Sequence, residues 1–218
     1  MVEGQKVEFS EFVDEFRQQL STHAGFLIAA VVAITAAFSI WELAISQATE
    51  FGVQLVVSIY GQFVVIERLL ADRLPERHGH RRFMSIFGSG IFSGLGIGLG
   101  LLLLIFPGIF LAARWSAAVP AIIAEDCGAT DSLRSSWDRT EASRVPVFLL
   151  YLIGMAIWAG SIGLVLMFSA TDAGLDSAIG VIALNFAVSL VTVLGWVLAT
   201  AVYRRTTPAI TGLNAVFA

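Results

Sequence analysis

The chain has 218 residues, of which 57% are hydrophobic and only 14% charged, with a formal net charge of −4. Soluble domains carry about a quarter charged residues, so this balance and a mean hydropathy of +0.82 exclude an ordinary water-soluble protein. The charges are also unevenly placed: Arg114 is the only one from Met84 to Ala124, and Asp172 and Asp176 are the only two from Val145 to Tyr203. Lipid is the natural solvent for stretches of that length. The acidic pI conceals local clusters, with Glu3, Glu8, Glu11, Asp14 and Glu15 at the N-terminus and Arg73, Arg77, Arg81 and Arg82 in one loop. No basic domain points to nucleic acid. Cys127 is the only cysteine, which excludes an intrachain disulfide and a cysteine metal cluster. The acidic N-terminus and the long first apolar run predict no cleavable signal peptide.

In chain order, residues 1–22 predict an amphipathic helix. Phe9, Phe12, Val13, Phe16 and Leu20 share one face at helical spacing, with the acids on the other. Membrane-surface helices are usually basic; this one is acidic, so packing against the protein's own helices is an equally good expectation. Spans are expected at residues 24–45 and 51–70, each about 20 residues, the length that crosses ~30 Å at 1.5 Å per residue. The second is more polar, holding Gln54, Tyr60, Gln62, Glu67 and Arg68. The apolar block 84–124 is too long for one span, and Pro107-Gly108 is the expected break, because proline removes a helix hydrogen bond and glycine permits reversal. The last spans are expected at 146–170 and 178–203. Between them and the block, residues 126–143 predict a short cytoplasmic interfacial helix, capped at Thr130 or Asp131, with Trp137 at the membrane–water boundary.

Basic residues near span ends stay in the cytoplasm. Arg73 to Arg82 therefore place their loop inside, Arg204 and Arg205 place the C-terminus inside, and the base-free stretches 46–50 and 171–177 read as outside. The block 84–124 must then enter and return, either as a full hairpin or with a re-entrant second arm at 109–124. The expected fold is all-α: a polytopic transmembrane bundle forming a single domain over 1–218, with about six membrane segments and both termini cytoplasmic.

Pro107-Gly108-Ile109-Phe110, Arg114-Trp115, Pro120, Glu125, Leu133, Ser136-Trp137 and Thr140 follow one another in residues 100–142. This string resembles the YciC-like group of prokaryotic membrane proteins, related to the membrane domain found beside glycerophosphodiester phosphodiesterase domains. That resemblance implies a multi-pass module of the prokaryotic cytoplasmic membrane without an established activity. The chain departs from the pattern at Ser132, where alanine is typical, and at Glu141-Ala142-Ser143, which replaces a basic-glycine ending.

Arg114 is the most informative residue, because a guanidinium within a membrane helix costs on the order of 2.5–3.5 kcal/mol on insertion scales. It must face protein, water or a headgroup. Glu67, Glu42 and Glu125 are its candidate partners, and a phospholipid phosphate is the alternative. Arg114, Trp115, Glu67, Glu125 and Trp137 together form the candidate lipid or packing site. Small residues four apart, at Gly90/Gly94, Gly96/Gly100, Ala156/Gly160 and Ala159/Gly163, predict close packing between the third and fifth segments; a nucleotide-binding glycine loop lacks its strand context. Asn185 reads as an interhelical hydrogen bond. His78-Gly79-His80 lacks further metal ligands, and Ser135 and Ser136 lack a His/Asp pair, so no metal, cofactor or catalytic residue is expected. The leading expectation is a non-enzymatic integral membrane module that interacts with lipids, other membrane proteins or itself. A small transporter or lipid-handling protein built on the broken hairpin and Arg114 is the alternative. An intramembrane phosphodiesterase is disfavoured, since metal-assisted hydrolysis needs clustered carboxylates or histidines.

Overall fold

A computed structural model describes residues 6–44, 50–74, 82–103, 105–169 and 178–207. The histidine pair at 78–80, Arg77, Arg81 and both acids of 171–177 lie outside the described residues. Among the described residues every regular element is an α-helix: α1 (Phe9–Thr22), α2 (Ala24–Ala44), α3 (Glu50–Leu69), α4 (Arg82–Leu103), α5 (Ile105–Arg114), α6 (Ala118–Glu125), α7 (Ala129–Thr140), α8 (Arg144–Ser169) and α9 (Ala178–Thr206). The protein is a multi-pass helical membrane bundle. Among the described residues, five stretches are long and apolar enough to cross a membrane: Ala24–Ala44, Met84–Leu103, Ile105–Glu125, Arg144–Ser161 and Ala178–Thr206. The more polar α3 runs antiparallel beside α2, with Gly61 against Ile34 and its C-terminal end sharing a pocket with Thr22 and His23.

Three prolines set the helix boundaries. Pro107, Pro120 and Pro146 are each the third residue of their helix, α5, α6 and α8. The first four N–H groups of a helix have no intrahelical acceptor, so proline there loses no hydrogen bond. This corrects the expected position of the hairpin break. α4 ends at Leu103 and α5 begins at Ile105; Gly108 lies against Gly100 of α4, so the two helices run antiparallel with Pro107 and Gly108 in the first turn of the return arm. The arm is consequently longer than the expected 109–124. It interrupts itself a second time at residues 115–117, again three residues ahead of a proline. It runs back beside α4 far enough for Gly88 to lie against Ala129 of α7.

The glycines of α4 divide into two stripes. Gly96 and Gly100 face the return arm, whereas Gly90, Gly94 and Gly98 meet nothing. A Cβ on Gly100 would lie 2.8 Å from the Gly108 backbone. Gly100→Ala is therefore expected to cost about 1–3 kcal/mol from overpacking, more than the ~1 kcal/mol alanine gains in helix propensity. Unfolding of the purified variant in detergent measures this; Gly90→Ala serves as the control without loss. The expected pairing of α4 with α8 is not what forms: α5 packs against both, and the small residues Gly154, Gly160 and Gly163 of α8 meet no neighbour within 4 Å.

α1 packs on α9 and α2. Phe12 is fully buried and Val13, Phe16 and Leu20 pack against the core, as the periodicity predicts, while Phe9 is 37% exposed. The acids do not all take the outer face. Glu15 and Gln19 are buried with Phe12. α7 starts two or three residues earlier than a cap at Thr130 or Asp131 would place it, with Gly128 at the N-cap and Asp131 inside the first turn, where its charge favours the helix dipole. Asp126 closes α6 with a left-handed φ of 54°, a conformation aspartate tolerates better than most residues.

Candidate functional site

The constellation around Arg114 is assembled by the interruption of the return arm between α5 and α6. At residues 115–117 the backbone leaves the helix, which frees the Arg114 carbonyl and the Ala117 N–H inside a buried region. Ser136 of α7 satisfies both: its Oγ accepts from the Ala117 N–H at 3.1 Å and donates to the Arg114 carbonyl at 2.7 Å. Unpaired, each of those groups would cost on the order of 1–3 kcal/mol. Ser132, Ser136 and Thr140 form the fully buried stripe of α7, so this polar helix docks through small hydroxyls rather than through an apolar face.

The Arg114 side chain is 2% exposed. Its Nη2 donates to a carboxylate oxygen of Glu141, and its guanidinium carbon lies 4.3 Å from the Trp137 ring, a cation–π contact that compensates part of its desolvation. Nε and Nη1 are buried without a hydrogen-bond partner among the described residues. Phe110 meets Trp137 edge-on at 5.9 Å. Trp115 points the other way, its ring filling the space left by Gly96 on α4.

Arg114 and Trp137 are thus brought together while Trp115 is turned away, and the three expected acids are not partners of Arg114. Glu42 instead accepts from Asn185 Nδ2 at 2.9 Å, which also reaches Ser39, tying α2 to α9 by the interhelical bond expected of Asn185. Glu125 takes the Tyr203 hydroxyl at 2.6 Å and Arg139 at 2.7 Å. Glu67, half-buried on the last turn of α3, is likewise not the acid that pairs with Arg114. The acid that does so, Glu141, belongs to the segment where the chain departs from the resembled pattern. A second departure, Ser143, accepts from the Val7 N–H at 2.8 Å and anchors the start of α1. The signal available for Glu141 was its place one turn after Trp137 on the same helical face.

A second polar cluster joins the ends of four elements. Arg204 forks onto both oxygens of Asp72 at 2.6 and 2.9 Å, and its Nε donates to Glu15 at 2.9 Å. Arg205 pairs with the other oxygen of Glu15 at 3.0 Å. Arg73 donates to the Arg204 carbonyl at 3.1 Å, so this first residue of the loop cluster lies beside the basic C-terminal turn. Arg139 links this group to α7 through Thr207 and Glu125. One acid of α1, the buried Glu15, is thereby spent on the protein's own basic C-terminal turn. The Asp72 carboxyl is held below the usual carboxylate range chiefly by its hydrogen bonds to Arg204.

Cys127 is half-buried between α6 and α7. Burial, with the Glu125 carboxylate second, pushes its thiol up to about 11. At pH 7.5 a maleimide should label it roughly tenfold or more slowly than the same thiol in unfolded chain; equal rates would contradict this environment. Among the described residues no group of three or more His, Cys, Asp or Glu side chains could hold a metal ion. Comparison with protein-family models, curated proteins and solved structures finds no match.

Proposed function

We propose that the chain is a non-enzymatic integral membrane module that packs with lipid and with other membrane proteins. The observation that carries this reading is the enclosure of Arg114. The one cation of the long apolar block is neutralised by Glu141 and covered by Trp137, and the break beside it is closed by Ser136. A site that takes and releases a polar substrate needs such groups open; here they hold α5, α6 and α7 as one unit. The YciC-like resemblance supports the same reading, since its Arg-Trp and Ser-Trp-Thr pieces are the residues that make this unit. With it goes a location in a prokaryotic cytoplasmic membrane. Both termini are proposed to be cytoplasmic, with α3 as a sixth crossing, because the basic ends of α3 and α9 share one side.

The test is reconstitution of the full chain into phosphatidylethanolamine–phosphatidylglycerol vesicles. The expected result is no phosphodiester hydrolysis and no acceleration of fluorescent-lipid scrambling over protein-free vesicles. Scrambling above that background that is lost in Arg114→Met would replace this reading with lipid handling at the hairpin.

A further inference from the structure

At the end of the bundle where α1 turns into α2, a polar pocket of about 310 Å³ opens between the α1–α2 junction and the end of α3. Its walls include Gln18, Thr22 and His23 on one side and Arg68, Asp72 and Arg204 on the other. A second recess of about 470 Å³ runs between α2 and α3. It is almost wholly apolar, lined by Phe26, Ala30 and Ala33 facing Val57, Gly61 and Val64. The two are in line. His23 precedes Phe26 by three residues and Arg68 follows Val64 by four, so each pocket residue stands one turn beyond a groove residue on the same helical face.

The charges in the pocket are not equivalent. Glu15 and Asp72 are already held by Arg204 and Arg205. Arg204 is consumed by them. Arg68 is exposed and, among the described residues, makes no ion pair or side-chain hydrogen bond. The unspent charge at the mouth is therefore a guanidinium, with the His23 ring as a further N–H donor. Guanidinium pairs with phosphate oxygens in a bidentate fork.

We propose that this pocket and groove bind one phospholipid, its phosphate at Arg68 and His23 and one acyl chain along the α2/α3 groove. A free phosphate would use the pocket alone and leave the apolar groove uncovered; a lipid covers both. A second copy of the chain docking symmetrically through this face would bring two Arg68 side chains together, which like-charge repulsion opposes. The site would fix α1 to the membrane boundary through a lipid while Glu15 stays locked to α9. It shares no residue with the Arg114 unit.

The test is native mass spectrometry of the full-length protein in detergent with added palmitoyl-oleoyl phosphatidylglycerol. One lipid per chain should survive activation that strips the rest. Arg68→Gln should retain roughly tenfold less, the loss of one charge-assisted contact. Ala33→Phe, which fills the groove from an exposed position, should retain equally little. Both variants should melt like wild type without lipid. Retention unchanged in either variant overturns the proposal. So does displacement of the lipid by millimolar inorganic phosphate, which marks a free-anion site, or a lipid-free dimer that Ala33→Phe dissociates, which marks the groove as a self-contact. Neither variant touches α5 to α7, so failure here leaves the reading of Arg114 standing.

Discussion

Glu141→Ala should destabilise the protein more than removing the arginine it pairs with. Losing the carboxylate leaves a buried guanidinium with Trp137 as its remaining compensation, and stranding one member of a buried pair costs about 3–5 kcal/mol. Glu141 is 57% exposed, so water reaches the gap and the expected loss falls below that range, at about 2–3 kcal/mol. Arg114→Met keeps most of the volume beneath Trp137 and leaves only a solvated carboxylate, at about 1 kcal/mol. Arg114→Ala should cost more than Arg114→Met because it also empties space in a packed region. The decisive variant is the double, Arg114→Met with Glu141→Ala. It should be as stable as Arg114→Met alone, since the stranded charge is gone. Equilibrium unfolding in mixed micelles reads all four. Strictly additive losses, or a Glu141→Ala protein that unfolds like wild type, would show that Arg114 is satisfied by something other than Glu141.

Ser136 extends the same logic to the backbone. It serves one donor and one acceptor that exist only because the return arm breaks at residues 115–117. The break is legible in the sequence through Pro120, once proline is understood as marking the third residue of a new helix rather than the point of rupture. The same offset puts Pro107-Gly108 inside α5, which begins at Ile105. The spans were legible because the charge map leaves lipid as the only solvent for them, and the buried stripe of α1 was legible from Phe12, Phe16 and Leu20. Glu15 was not, because nothing local distinguishes an acid that meets Arg204, 189 positions away, from its solvated neighbours. The partner of Arg114 was missed for a related reason. Three acids inside or beside predicted spans drew attention, while Glu141 sat in a polar loop where an acid needs no explanation. Long-range ion pairs leave no periodicity to read, whereas burial of apolar residues does.

That difference bears on the N-terminal helix, where the largest long-range effect is expected. Arg204→Ala removes the residue that joins Glu15, Asp72 and the Leu69 carbonyl at once. Asp72 is largely in water and loses little; Glu15 is 11% exposed and would keep only Arg205 and Gln19. A cost of about 3 kcal/mol falls mainly on the docking of α1, whose remaining hold is Phe12 with its neighbours and the Val7–Ser143 bond. Local opening should therefore precede global unfolding. Trypsin cleavage after Arg17, exposed on α1, should accelerate by roughly a hundredfold, the rate equivalent of about 3 kcal/mol, while cleavage elsewhere stays slow. Acid should loosen the same joint. The Asp72 carboxyl is depressed below its ordinary value of 3.8 by Arg204, so its contribution is present above that value and is lost as pH falls below it. Pepsin cleavage within α1 should rise as pH drops through that range in wild type, and Asp72→Asn should flatten that part of the profile. A wild-type profile already flat there would mean that Asp72 does not steady Arg204 against α1; Arg204→Ala cleaved no faster than wild type would mean that α1 is held without the Glu15–Arg204 pair.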